Sequence, residues 1–341
     1  MIFKQPALEI PQNTQLKPLS IAWLFPHADL SRDPSNRLRR FQLHRYFQSL
    51  YSVESSTFTL YDKISDLRSQ LLYFDVVVLF NVTEFDRDLC RYLRGQGKTV
   101  IFDHCENIFG LGAEDEIMHT VSAITCCSTA LANNTEGYLS RYNFNQNLFV
   151  IRDPLDGEIE KKSIKPLPGP FGSTNLALIM GMGANVQYVI PLLEEACIKS
   201  GYRVRILTEA GFDFPNHEVR VWSPYSWTYD AMECDVALCC HDKGMFAAKG
   251  NVKVTNPMAL GLPVIATSIE SYTEAITDGY NGLIVESPDL WPTCLDKLKD
   301  QGLRNIMGLR ARQTAFNNYG TDKIALDYLS MIALLRVSAD A

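Results

Sequence analysis

Residues 251–276, NVKVTNPMALGLPVIATSIESYTEAI, decide how the chain is read. Val252 to Leu260 reads as a short helix. Gly261-Leu262-Pro263 stops it and turns it tightly into a buried strand, Val264 to Thr267. A short acidic segment follows, then Asp278-Gly279-Tyr280-Asn281-Gly282. Lys253 stands at the helix start, just past Gly250 and four residues after Lys249. Helix starts and glycine turns offer free backbone N–H groups that favour anions, so two lysines beside them make a diphosphate site. Asn256, three residues after Lys253, shares its helix face and suits a ribose or sugar hydroxyl. A plain helix–turn–strand with solvated lysines accounts for the same residues on local chemistry alone.

Outward from this stretch, strands and helices alternate. Upstream come the strands LSIAWLF (19–25), FDVVVLF (74–80), KTVIFDHC (98–105), AITCCS (123–128) and NLFVIRDPLD (147–156), the last closing in a turn. Helical patterns lie between them at 36–51, 86–96, 114–122 and 129–142. A stretch rich in Pro, Gly and Lys then marks a domain boundary near 157–174. The theme repeats with strands at 176–183, 202–208, 217–223, 235–240, 264–267 and 281–286. Helices are expected at 186–201, 228–234 and 272–277, and from Asp289 to the end, the last near Lys323 to Leu335. Continuous apolar strands alternating with helices mean parallel sheets covered on both faces. The expected organisation is an arm (1–18), a first domain (19–157), a linker (158–174), a second domain (175–320) and a C-terminal helix (321–341).

Composition narrows the function. The chain has 341 residues, long for one core and comfortable for two. It is 46% apolar and 21% charged, ordinary for a soluble globular protein. A net charge of −7 gives no global basic field for nucleic acid or an anionic membrane. Pro6, Pro11 and Pro18 and the lack of an apolar block argue against a leader, and no apolar run has the length of a membrane span. The nine cysteines are scattered, without zinc-ligand spacing, and read as buried thiols of a cytoplasmic protein.

Other candidates follow from position. Gly181-Met182-Gly183 joins a strand to a helix and is either a tight turn or a close approach to phosphate. It lacks a full Gly-x-Gly-x-x-Gly and a ribose-binding acid, which argues against an NAD site. Asp103, His104 and Glu106 end a strand, at the edge where ligands bind in such sheets. They line a site, or Asp103 caps a helix and His104 is an interior histidine. Arg37 and Arg40, with Arg39 between them and Arg32 before, begin a helix on which Arg37, Arg40 and His44 share a side. That side is solvated or reads an anionic group. Trp222, Ser223 and Tyr225 lie just past a strand, where a base stacks or Trp222 packs into a core.

The segment NVKVTNPMALGLPVIATSIESYTEAITDGYNGLIVES resembles the signature of GT-B glycosyltransferases of the retaining family 4, or group 1, type. Lys253, Met258, Ala259, Gly261, Pro263, Val264, Glu274, Asp278, Gly279, Asn281 and Gly282 fall in place. In weaker form SNRLRRFQL, VIFDHCENIF and VRVWSPYSWTYDAMECDVAL extend the resemblance over nearly the whole chain. It implies an α/β chain of two doubly wound, Rossmann-like domains facing a cleft, with C-terminal helices. It also implies transfer of a sugar from a UDP- or GDP-sugar with retained configuration, and a first domain that takes an unknown acceptor (glycan, lipid-linked or small molecule).

On this reading Asp103 and His104 are catalytic. Gly181, Gly183, Trp222, Ser223, Lys249, Lys253 and Asn256 bind the donor, and Arg37, Arg40 and Glu106 bind the acceptor. No metal or other cofactor is expected, nucleic acid is not a partner, and membrane contact is at most peripheral. One departure stands out. The family's paired glutamates, the second holding the donor ribose and the first supporting the sugar, correspond to Asn256 and Ala248. A silent nucleotide-sugar-binding protein and a nucleotide-sugar epimerase therefore remain open.

Overall fold

A strand buried on both faces needs an apolar side chain at every position, and these strands supply them. A computed structural model describes residues 2–3, 19–25, 37–50, 52–59, 64–80, 84–105, 113–161, 175–241 and 248–339. The chain divides into two units: Met1–Pro154 with Ala248–Gly250 and Thr321–Ala341, and Leu155–Ala247 with Asn251–Gly320.

The first unit holds β1 (Ile2–Phe3), β2 (Leu19–Phe25), β3 (Val53–Thr59), β4 (Val76–Leu79), β5 (Thr99–His104), β6 (Ala123–Cys126) and β7 (Asn147–Val150). They form one parallel sheet in the order β1-β7-β6-β5-β4-β2-β3. Alternate side chains of each strand feed opposite layers. Ala22, Leu24, Val77, Leu79, Val100 and Phe102 lie in one core, and Ile21, Trp23, Phe25, Val76, Val78 and Ile101 in the other. That second core is covered by the last helix, Thr321–Ala339, through Ile324, Tyr328, Met331 and Ile332.

The second unit holds β8 (Leu176–Met180), β9 (Arg203–Thr208), β10 (Glu218–Val221), β11 (Val236–Cys239), β12 (Val264–Thr267) and β13 (Leu283–Val285). The order is β10-β9-β8-β11-β12-β13, again all parallel. Both sheets wind outward in two directions from an early strand, as the doubly wound class requires. No helix among the described residues is long and apolar enough to cross a membrane.

The structure departs from the sequence reading at several elements. β3 (VESSTFT) carries too many polar residues to read as a strand. It is an edge strand whose inward Ser55 accepts from Trp23 Nε1 at 3.0 Å and lies 2.9 Å from His44 Nδ1. The helix Ile64–Leu71 was also not anticipated. Ile2–Phe3, within the expected arm, pairs with β7. Gly157–Lys161, within the expected boundary stretch, is helical, and the helix expected at 272–277 is Glu270–Thr273. Residues 4–18 and 162–174 lie outside the described residues.

Ile324 is fully buried under the first sheet. Ile324→Ala is expected to cost about 2–5 kcal/mol, read as a lower urea midpoint. A loss below about 1 kcal/mol would show that the last helix does not belong to this core.

Candidate functional site

In the second sheet the chain winds from β8 through β9 and β10 on one side, then returns to the other side of β8 for β11, β12 and β13. The carboxyl ends of β8 and β11 therefore border a switch point, where ligands bind in open α/β sheets. A pocket of about 330 Å³ opens there, with Met180, Asn185, Tyr188, Cys240, His241 and Lys253 in its wall. Lys253 reaches it from the helix Val252–Ala259. Its Nζ lies 3.3 Å from the point where a Cβ on Gly181 would stand, so glycine at 181 leaves room for the ammonium. The Cys239 thiol, pushed up to about 12 by burial, stays protonated and donates to the Lys253 carbonyl at 3.0 Å. The helix ends at Gly261, whose φ of +83° only glycine adopts freely. A side chain on Gly308 would overlap the Gly261 carbonyl, so Gly308 lets the helix Gln301–Tyr319 lie against this turn.

Gly183 has a different reason to be glycine. A Cβ there would overlap the Phe212 ring, and its N–H donates to Glu209 Oε2 at 2.9 Å. The start of the helix Gly183–Lys199 thus carries a carboxylate on its first amide, at the glycine expected to approach phosphate. The same contact places an acidic side chain beside the glycine turn. Glu209 stands at the tip of β9, and its distance along the chain, 26 residues from Gly183, hid it.

Asn256 is buried, and its Oδ1 accepts from the Asp156 N–H at 3.0 Å. Asp156 in turn accepts from Trp227 Nε1 at 3.2 Å, so Asn256 anchors the chain where it enters the second unit. Ala248 is buried in the core of the first unit, and its carbonyl accepts from Ser128 Oγ at 2.7 Å. Lys249 belongs to the Ala248–Gly250 segment of the first unit and Lys253 to the second, so the two lysines are parts of different bodies. Trp222 and Ser223 follow β10 at the sheet edge, two strands from β8. Trp222 is half-buried against the core, its N–H donating to the Thr208 carbonyl at 2.7 Å, and Ser223 Oγ accepts from the Tyr225 N–H at 3.3 Å. Of the expected donor residues, the structure thus brings Gly181 and Lys253 together.

In the first unit the sequence pointed to the wrong arginine. Arg37–Gln42 forms a π-helical turn that continues as the α-helix Leu43–Gln48. The wider turn carries Arg39 and Arg40 inward together, where 3.6-residue periodicity had paired Arg37 with Arg40. Arg39 is fully buried and donates to Asp103 (Nη2–Oδ1 2.6 Å), Asp153 (Nη1–Oδ1 2.9 Å) and the Ile151 carbonyl (2.7 Å). Thr125 Oγ1 adds a bond to Asp103 at 2.7 Å, and the Arg40 guanidinium lies over the Phe80 ring. Burial alone would raise the Asp103 carboxyl. Arg39, with Arg40 and Thr125, outweighs it and holds the group below the usual carboxylate range. Asp153 is pushed up by burial.

Asp103 is thus a sealed counter-ion, not a group presented to substrate, and Arg40 is not open to an acceptor. Both expectations are corrected by this burial. Arg37 is half-buried at the start of the turn. His104 is 1% exposed and pushed down to about 4, first by burial, so it is neutral at pH 7 and does not stand ready as a solvent-facing catalytic base. Glu106 lies outside the described residues.

No protein-family model matches the chain, and no curated protein matches it in sequence. Solved structures match it in fold. A glycosyltransferase from Rickettsia africae superposes with a TM-score of 0.69 at 10% identity, covering 94% of this chain and 99% of its own. Sucrose-phosphate synthase from Thermosynechococcus elongatus gives 0.66 at 12% identity, with 94% and 100% covered. Anabaena HepE, solved with UDP and glucose, gives 0.65 at 10% identity, with 92% and 99% covered. The fold is that of the GT-B glycosyltransferases, with two Rossmann-like units in one chain.

The buried ion network makes the first unit sensitive to single changes. Asp103→Ala strands Arg39 and is expected to cost about 3–5 kcal/mol in chemical denaturation. A loss near zero would place these charges in water. His104 binds a proton more weakly in the folded protein, at about 4, than in the unfolded chain, where histidine titrates near its ordinary value of about 6.5. The unfolded state therefore gains the proton first as pH falls. Stability from this group is complete above about pH 6.5 and falls by about 3 kcal/mol toward pH 4. His104→Gln should flatten that slope, and an unchanged slope would assign it to other groups.

Proposed function

We propose that the protein is a glycosyltransferase that takes a sugar from a nucleotide-diphosphate donor, UDP- or GDP-linked, and passes it to an acceptor held by the first unit. The observation that carries the reading is the Lys253 ammonium beside Gly181 in the switch-point pocket. A departing nucleoside diphosphate gains negative charge as the sugar bond breaks. A fixed ammonium and the first-turn amides of the Val252–Ala259 helix stabilise that charge without rearranging. They supply at the leaving group what a metal ion supplies elsewhere, so the proposed transfer is metal-independent. HepE, solved with UDP and with UDP-glucose, supports a uridine donor. Retention of configuration rests on the resemblance of residues 251–287 alone, and a cytoplasmic setting on composition alone.

A second reading, a nucleotide-sugar-binding protein without turnover, is favoured by specific residues. Asn256 holds Asp156, Ala248 has no polar side chain, and Asp103 is sealed by arginines.

Thermal shift in chelator with UDP, GDP and ADP tests the site. At about 100 times its dissociation constant a nucleoside diphosphate should add about 2.7 kcal/mol of stability. Lys253→Ala should weaken that binding about tenfold to a hundredfold with little change in the unliganded melting temperature. Unaltered affinity in the variant would move the diphosphate elsewhere. Release of nucleoside diphosphate from a UDP- and GDP-sugar panel separates the two readings, because a silent binder shows the shift without release.

A further inference from the structure

The start of the second unit is a single strand–turn–helix–strand motif. β8 runs into Gly181-Met182-Gly183, the helix Gly183–Lys199 crosses the sheet, and β9 returns parallel to β8. In dinucleotide-binding units of this topology an acidic side chain near the tip of the second strand accepts hydrogen bonds from ribose hydroxyls, and this unit offers one at the same place. Glu209 follows Thr208, the last residue of β9. Its side chain is exposed but not loose. Oε2 accepts from the Gly183 N–H and from Thr208 Oγ1, each at 2.9 Å, while Oε1 accepts from no other described residue. Partial burial opposes ionisation, but bonds from its own amide, Thr208 and Gly183 outweigh it and hold the carboxyl below its usual range. Glu209 is thus a pre-aimed anionic acceptor whose ordering cost is met before any ligand arrives.

The same carboxylate decides where phosphates go. The helix start at Gly183 already holds an anion, so a second one beside it is repelled. Lys253 sits at the other glycine of the turn. Gly181 and Gly183 are two residues apart, so ammonium and carboxylate flank a turn spanning no more than about 7 Å of backbone. One end of this short turn suits a diphosphate and the other suits neutral hydroxyls.

We infer that Glu209 is the ribose-binding residue of the donor site, its Oε1 accepting from the 2′- and 3′-hydroxyls of a nucleoside diphosphate whose phosphates lie on Lys253. This rests on the donor site proposed above.

Calorimetric titration with UDP, 2′-deoxy-UDP, GDP, 2′-deoxy-GDP and inorganic pyrophosphate tests it in wild type, Glu209→Ala, Glu209→Gln and Lys253→Ala. Wild type should bind the better ribonucleotide about tenfold or more tightly than its deoxy form, as for a hydrogen bond to a charged group. Glu209→Ala should bind the two within about twofold of each other and should bind pyrophosphate no more weakly than wild type. Glu209→Gln keeps an oxygen for Gly183 and Thr208, so it should melt like wild type and still lose most of the preference. Lys253→Ala should weaken both nucleotides alike and leave their ratio intact. A wild type without the ribose preference, or a Glu209→Ala protein that keeps it, overturns the inference. If Lys253→Ala still weakens binding in that case, the donor site itself stands. Absence of nucleotide binding in every protein, wild type included, overturns the donor site as well.

Discussion

A fully parallel sheet that winds both ways from an inner strand leaves the carboxyl ends of its two switch-point strands uncrossed by any connection. In the second unit those strands are β8 and β11, and every feature of the candidate site follows from their separation. The turn after β8 must be narrow, and Gly181 makes it so. The helix after β11 brings the Lys253 ammonium to the same place. The position of that helix depends on two glycines in contact: Gly261, which ends it at positive φ, and Gly308, which lets the Gln301–Tyr319 helix lie on the turn. The pocket is thus held by close backbone packing, which tolerates little movement.

The first unit places its chemistry under a different constraint. Arg39, Arg40, Asp103 and Asp153 put two cations and two anions out of water. Isolated buried charge is very costly, and only mutual pairing with further hydrogen bonds offsets it. Arg39 meets that requirement by bonding Asp103, Asp153 and the Ile151 carbonyl together. Gly250 is part of the arrangement, since any side chain there would overlap the Asp153 carboxylate. The network ties the π-helical turn to the carboxyl ends of β5 and β6 and to the chain just after β7, with its carboxylates buried.

Much of the fold was legible because parallel strands announce themselves as apolar runs. FDVVVLF, KTVIFDHC and LALIM could hardly be anything else. β3 was not legible: an edge strand is wetted along one side and tolerates Ser, Glu and Thr, and its Ser55 accepts from Trp23. Gly181 and Lys253, which the structure sets side by side, stood out from local chemistry, because a glycine turn and a helix start are written in a few adjacent residues. Glu209 and Arg39 did not, for two physical reasons. Glu209 acts across a whole helix from Gly183, and no local pattern encodes that contact. Arg39 was hidden by the π-turn, which changes which residues share a face. Part of the family-like signature is also architectural. Asn281 bonds the Thr277 N–H and the Ala275 carbonyl, and Asp278 accepts from the Ile284 N–H, so these residues build a turn whatever the ligand.

The most direct measurement of the central claim is a crystal structure of the protein with UDP or GDP bound in the presence of a chelator. The account predicts the diphosphate above Gly181, with an oxygen within hydrogen-bonding distance of Lys253 Nζ, and with Gly183 still bonded to Glu209. Phosphates seated on the Gly183 N–H with Glu209 displaced, or a nucleotide bound away from the β8–β11 switch point, would contradict it.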